Sequence, residues 1–441
     1  MKAGQRLYIN WVFPLMYFIL IILGFSQEYG IRYGNVFISL LIASIICILP
    51  VETVIILLYL LFPFFNIFSV EIGSNSYFYV YVFIFIFKYL KKIKWKLNRK
   101  KIIVLFLAFF LTIFWLNISV QIKWLLLFSL LLINYNNTIF IERLPQIIKC
   151  INISTIISSM IGYVMLISGN SIYTNSYIYT ETGNVTRFAG LVGDSVFYGQ
   201  FTVIIIGLTL AMILEKEISK IFGYITCMIL SIFVVLTYSK TAIILLIVVV
   251  FLYFAGIIMA NIKYKKTFYK SLLMFVFVSL FILSGVIYVI NHLNNPLINM
   301  YVIRFTSADL WTGRTYVTEN YLEKFSSSLL YYFVGMPYSK YTENGVLIGE
   351  TIITRAHNIY IETICLFGAI PAVVIFAFCM KKIYIHLRKG QSYYICIPFF
   401  ILLLSGISLH GHLEWPYYFL VTLCLAIIEF RQKKREEGIN Q

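Results

Sequence analysis

Charge is scarce in this chain, and acidic charge is scarcest. Of 441 residues, 12% are charged, against roughly 25% in soluble domains. Aspartate occurs twice, at Asp194 and Asp309. Two isolated aspartates make no D-x-D motif for a metal-bound sugar nucleotide, and no G-x-x-x-x-G-K-[ST] loop offers to cradle a nucleoside triphosphate. Sugar-nucleotide and ATP-driven chemistry are therefore unsupported. Seven cysteines (Cys47, Cys150, Cys227, Cys365, Cys379, Cys396 and Cys424) lie in or beside apolar runs with no C-x-x-C among them. That pattern indicates neither a disulfide framework nor a zinc site. The alternating ten-residue segments of a β-barrel are missing, as are internal repeats and low-complexity linkers.

What the chain has is hydrocarbon. Hydrophobic residues make up 61% of it and the mean hydropathy is +0.89. Leu, Ile, Phe and Val fill long runs that are apolar on every face, as lipid-embedded helices require. The fold class expected is all-α: a polytopic transmembrane bundle of twelve to fourteen spans. Runs of about 17–25 apolar residues predict helices over 8–25, 34–49, 53–70, 76–90, 102–118, 123–141, 147–168, 190–214, 220–238, 241–262, 271–290, 356–380, 392–409 and 415–430. Lys2 and Arg6 precede the first run without a small-residue cleavage site, which reads as an anchored helix and not a removed signal peptide. One membrane domain spans 1–441, and within it 291–356 forms one large polar loop.

The basic residues set the orientation. Nine of the 35 Lys and Arg fall on one face of these spans: Arg32, Lys123, Arg187, Lys240, Arg304, Arg314, Lys324, Lys340 and Arg355. The rest share the face of the N-terminus. By the positive-inside rule both termini are cytoplasmic and the large loop is outside. The net charge of +17 is thus a topology signal, and a nucleic-acid partner is not expected.

Because few cations face outward, each carries weight. Arg187 closes a polar loop. Lys240 sits in the short turn Tyr238-Ser239-Lys240-Thr241, and Arg314 follows Gly313 at the start of an amphipathic helix, Thr315 to Leu330. Arg355 stands two residues before His357. Arg grips phosphate oxygens bidentately, whereas Lys acts as a point charge, and a helix N-terminus adds oriented N–H donors. An enzyme handling a phosphate-bearing lipid needs such groups at headgroup depth. The competing reading of each is a solvated loop charge or a headgroup snorkel, and Lys123, Lys324 and Lys340 are assigned to it.

His357 stands just before a helix that Asn358 can cap. A neutral imidazole there could take the proton of an attacking sugar hydroxyl, or serve merely as a polar group at a helix end. Glu362 lies one turn in, where an ionisable group is costly. At 100° per residue it stands about 40° from Asn358 and about 140° from His357, so it supports Asn358 more readily than it orients His357. His410, His412 and Glu414 form another outward turn. His-x-His with Glu is a weak metal pattern, and lining a polar cavity is the better reading. No metal and no cofactor are expected.

Four segments together resemble the bacterial O-antigen ligase/polymerase superfamily. They are Arg187-Phe188-Ala189-Gly190 with Gly193-Asp194; Tyr238-Ser239-Lys240-Thr241-Ala242; Trp311-Thr312-Gly313-Arg314-Thr315-Tyr316 leading to Val334-Gly335-Met336-Pro337; and Ala356-His357-Asn358-Ile359-Tyr360-Ile361-Glu362 continuing to Leu366-Phe367-Gly368-Ala369. The resemblance implies a GT-C-like, inverting, metal-independent glycosyltransferase of the bacterial cytoplasmic membrane. Its donor would be an undecaprenyl-diphosphate-linked glycan and its acceptor a sugar hydroxyl on the outer face. By the resemblance Arg187, Arg314 and Lys240 would hold the diphosphate, with Arg355 secondary, and His357 would act as general base or position the acceptor. Lysine at 240 departs from the family's arginine and removes bidentate binding at that turn. A polymerase extending O-antigen or capsule chains is the reading adopted. A ligase with a lipid A-core acceptor uses the same motifs, and a lipid-oligosaccharide flippase is the rival of another class. A chain-length regulator and the pathway's flippase are the expected partners.

Overall fold

The computed structural model describes residues 3–26, 32–64, 77–93, 99–135, 137–168, 175–180, 183–190, 193–261, 265–292, 314–342, 346–348, 351–353, 356–388, 393–408 and 415–436. Helices dominate. The first seven are α1 (Ala3–Ser26), α2 (Arg32–Ile48), α3 (Val51–Leu61), α4 (Phe78–Lys92), α5 (Arg99–Ile113), α6 (Ile118–Asn134) and α7 (Thr138–Ile167). An antiparallel hairpin follows, β1 (Asn175–Thr180) with β2 (Gly183–Phe188). Next come α8 (Ser195–Leu214), α9 (Lys220–Leu236), α10 (Lys240–Asn261) and α11 (Lys265–Asn291). The expected outer loop holds structure of its own: α12 (Arg314–Ser326), α13 (Tyr331–Val334), α14 (Tyr338–Thr342) and a small hairpin, β3 (Val346–Ile348) with β4 (Thr351–Ile353). The chain closes with α15 (Ile359–Phe367), α16 (Ala369–Arg388), a 3-10 turn (Tyr393–Cys396), α17 (Ile397–Ser405) and α18 (Trp415–Glu436).

The all-α polytopic expectation holds. Among the described residues, four helices are long and apolar enough to cross a membrane, namely Thr138–Ile167, Ser195–Leu214, Lys240–Met259 and Ala369–Arg388, and six more are apolar but shorter. Their surroundings differ sharply. The hydrophobic window of α8 is 94% buried and that of α16 only 17%. Helix α8 is therefore the central post of the bundle, while α16 shows its hydrocarbon to the outside. Small and hydroxylated residues let α7 approach α8, as is usual for helices packing in lipid. Asn152 Nδ2 donates to Thr209 Oγ1 at 2.7 Å, and Ser159 and Tyr198 share a hydroxyl–hydroxyl bond.

Two predicted spans end elsewhere. The apolar run assigned to 123–141 breaks at Asn137, whose side chain accepts the Ile139 N–H at 3.0 Å and starts α7. The helix then runs through Pro145 instead of beginning at 147, and Glu142 in its first turns meets Lys433 at 2.7 Å. The run 356–380 is two helices, because Gly368 at φ +93° ends α15. The first break falls in the polar stretch Asn134 to Thr138, whereas hydropathy does not see the second, since the residues on both sides of Gly368 are equally apolar.

One end of the bundle is held by ion pairs. Buried Glu215, just past α8, accepts from Arg431 at 2.8 Å and from the Tyr394 hydroxyl at 2.9 Å. Lys434–Glu217, Lys92–Glu52 and Lys382–Glu429 gather at the same end. Of the candidates among the described residues, Arg187, Lys240 and His357 lie at the other.

Candidate functional site

Arg187 is the penultimate residue of β2 and is buried. Its Nε donates to the Thr237 carbonyl at 2.9 Å, where α9 ends. A helix C-terminus offers unpaired carbonyls and a partial negative charge, so a guanidinium is well placed there. Tyr238 then takes a left-handed φ of +50° and turns the chain. The Ser239 N–H reaches Thr237 Oγ1 at 3.2 Å, Ser239 Oγ accepts the Ala242 N–H at 3.4 Å, and Lys240 opens α10. The structure thus brings Arg187 and Lys240 to one turn. The residues after Arg187 wedge it in place: Phe188 stacks on Phe233 at 5.3 Å and meets Tyr198 edge-on at 5.2 Å. Gly190 sits at φ +55°, with the Tyr198 ring where a β-carbon would go. Any side chain here would push β2 off the bundle.

His357 turns the chain in the same way. Its φ is +46°, a conformation uncommon for a residue with a β-carbon although His is among those enriched in it. Both flanks hold it. Before it, the Ala356 N–H donates to the Tyr341 hydroxyl at 3.2 Å. After it, Asn358 caps α15, its Oδ1 accepting from Tyr360 N at 2.9 Å and Ile361 N at 3.2 Å. The imidazole is half-buried. The carboxamide oxygen of Asn358 is spent on the helix start. Glu362 is wholly buried, and its charge is felt at Tyr341. Burial first, then that charge, hold the Tyr341 phenol well above its ordinary pKa, so it stays protonated.

The loop helices are clamped onto α15. Met336 N–H donates to the Cys365 carbonyl at 2.7 Å. Gly335 (φ +76°) lies against Leu366 and Phe367 backbone, and Gly368 against Phe333 and Tyr332 backbone. The two glycine motifs therefore exist for each other: chain packs on chain where no β-carbon fits. Trp115, in the turn between α5 and α6, completes the clamp. Its indole donates to the Leu366 carbonyl at 2.6 Å, and its own carbonyl accepts the Tyr338 N–H at 2.9 Å.

Helix α8 joins the two turns. A β-carbon on Gly199 would meet Ala242 Cβ at 2.7 Å and Thr237 Oγ1 at 3.2 Å, so that face of α8 rests on the Lys240 turn. The next residue, Gln200, is fully buried and donates to Ser408 Oγ at 2.7 Å. Ser408 follows α17, where the Gly406 carbonyl accepts the Ile359 N–H at 2.8 Å, directly after His357 and Asn358. The first two turns of α8 thus stand between the Arg187–Lys240 turn and the His357 turn.

Arg314 is the first residue of α12, as Lys240 is of α10. Arg355, His410, His412 and Glu414 lie outside the described residues, as do Trp311 to Gly313 and Arg304. Sequence reasoning missed Gln200, Tyr341 and Trp115. A lone polar residue in an apolar run, Gln200 within α8, was the one signal available. Two aromatics among 34 tyrosines and six tryptophans gave none.

No curated protein and no solved structure matches the chain. Residues 225–377 match the family model described as O-Antigen ligase, a stretch that runs from α9 through Lys240, Arg314 and His357 into α16. Over that stretch, about a third of the chain, the protein is similar to the O-antigen ligase family.

Proposed function

We propose that this protein is a polysaccharide polymerase that transfers a glycan from an undecaprenyl-diphosphate donor to a sugar hydroxyl of a lipid-linked repeat unit. Members of the O-antigen ligase family are glycosyltransferase-like membrane enzymes. The observation that carries the reading is the pair of left-handed turns, at Tyr238 and His357, set on either side of α8. One turn holds cations, Arg187 and Lys240; the other holds an imidazole beside a capped helix start. A donor with its diphosphate at the first and an acceptor hydroxyl at the second is what glycosyl transfer needs.

In this reading the acceptor oxygen attacks the anomeric carbon from the face opposite the diphosphate, inverting that centre. His357 accepts the hydroxyl proton or orients the acceptor. The C–O bond to undecaprenyl diphosphate breaks, and negative charge grows on the leaving phosphate. Arg187, Lys240 and Arg314, with Arg355 second to them, stabilise that charge, an interaction stronger in the transition state than in the ground state. The leaving group arrives already carrying its lipid, so no nucleotide is called for. The near-absence of aspartate supports a metal-free route. The positive-inside distribution supports an outer-face site with cytoplasmic termini in a bacterial cytoplasmic membrane. The whole chain is read as one membrane domain whose 291–356 loop shapes the acceptor side.

The test is direct. Purified protein given an undecaprenyl-diphosphate repeat unit should produce a ladder of longer glycans, and His357→Ala and Arg314→Ala should abolish it while leaving folded protein in the membrane. Transfer onto lipid A-core without chain growth would identify a ligase. Movement of the lipid across vesicles with neither product would refute glycosyl transfer.

A further inference from the structure

The turn between α12 and α14 exposes more hydrocarbon than a water-facing loop tolerates. Leu329 is 77% exposed, Leu330 56% and Phe333 53%, all within five residues. Part of the backbone there is already satisfied. The N–H groups of Tyr331, Tyr332 and Phe333 donate to the carbonyls of Ser328, Leu329 and Leu330 at 3.1–3.2 Å, and that of Val334 donates to Leu330 at 3.2 Å. The hydroxyls of Ser326 and Ser327 are donated to the Glu323 and Lys324 carbonyls at 2.9 and 2.7 Å. Each polar group satisfied internally lowers the cost of entering a low-dielectric layer.

Position supplies the occupant. A β-carbon on Gly368 would lie 2.8 Å from the Phe333 carbonyl carbon, so the turn is seated at the start of α16. That helix shows its exposed apolar face at Ile370, Val373 and Val374, a face that only lipid covers if α16 crosses the membrane. The exposed tip adjoins it. Lys340 lies over the Tyr331 ring at 5.6 Å and Lys324 over the Tyr321 ring at 5.2 Å, so two cations flank the tip where lipid phosphates would be.

We infer that Leu329, Leu330 and Phe333 form a membrane-seated tip that enters the interfacial layer of the bilayer beside α16, with Lys324 and Lys340 at headgroup depth. Amphipathic segments hold to bilayers by this combination of apolar burial and attraction to anionic lipid. The seat has a consequence for the site. Through Met336 and Tyr341 the loop helices grip both ends of α15, so the tip sets the height of the His357 turn above the lipid. Only this consequence rests on the proposed glycosyl transfer; the seat itself does not.

The test introduces one tryptophan, by Leu329→Trp or Phe333→Trp, into the full chain in phosphatidylethanolamine–phosphatidylglycerol vesicles. Emission gained over the parent protein is compared with that of Glu319→Trp, on the exposed surface of α12. Lipids brominated near the headgroup should quench the added emission of either tip variant and leave that of Glu319→Trp. Tip emission no more quenched than that of Glu319→Trp would overturn the inference. A blue-shifted tip emission that brominated lipid does not quench would overturn it as well, since it would mean that protein, a second copy or a partner, covers the tip. With two tip positions, misfolding of one variant leaves the measurement intact.

Discussion

The backbone-on-backbone seat of the loop gives the sharpest prediction, Gly335→Ala. At φ +76° and ψ 177°, Gly335 occupies a region that residues with a β-carbon hardly enter, at a cost of about 1–3 kcal/mol. The added carbon would also overlap the Leu366 carbonyl and come within 2.8 Å of the Phe367 nitrogen, and overpacking of that kind costs about 1–3 kcal/mol. Relieving the overlap moves Met336 away from Cys365 and loses a hydrogen bond worth roughly 1 kcal/mol. The sum, about 3–7 kcal/mol, is comparable with the whole stability of an ordinary domain, about 5–15 kcal/mol. The loop should therefore unseat before the bundle melts. Hydrogen exchange of the Met336 amide reads this directly, and its protection should fall at least about a hundredfold, with glycan product lost alongside. Gly285→Ala is the internal control. Among the described residues, nothing beyond its own helix backbone lies within 4 Å of a β-carbon there, inside α11, and the change should be stabilising by about 0.5–1 kcal/mol. Equal exchange in the two variants would refute the packing argument.

Other predictions follow from single contacts. The Tyr341 phenol is held above its ordinary pKa, so the docked loop keeps a proton that the undocked loop releases above about pH 10; docking is full below that pH and weakens as pH rises through it. Tyr341→Phe should abolish that alkaline weakening in exchange measurements, and a profile identical to the parent's would refute the assignment. Arg187→Lys keeps the charge but loses the planar donor that meets Thr237, so it should fail to restore polymer made by the parent, whereas a surface charge would tolerate the exchange. Asn358→Ala removes the cap of a nine-residue helix, costing about 0.5–2 kcal/mol; Asn358→Asp retains an acceptor and should recover product. Chelation with EDTA should leave chain growth unchanged, and loss reversed by a divalent cation would overturn the metal-free route.

Some of the site was legible because its signals are local. Asn358 as a helix cap needs only Asn before an apolar run, and the structure shows that cap. The amphipathic helix expected from Thr315 to Leu330 begins at Arg314 and stops at Ser326, ahead of the tip whose exposed leucines a solvent-facing helix would not carry. Glu362 shows what local reasoning leaves out. Helical angles put it nearest Asn358, and in three dimensions its charge also acts on Tyr341, twenty-one residues upstream.

By itself the sequence determined the solvent. Scarce charge and unbroken apolar runs leave a helical membrane bundle as the one way to satisfy the backbone, and the family motifs lie in a fixed order along it. Tertiary structure alone decided which turns meet. Gln200 reaching Ser408, Trp115 reaching Leu366 and Tyr341 reaching Ala356 are contacts across 208, 251 and 15 residues, and no hydropathy period encodes a partner. The glycines show why. In sequence Gly335 and Gly368 are two small residues in two motifs; in the fold each is the space the other's backbone needs.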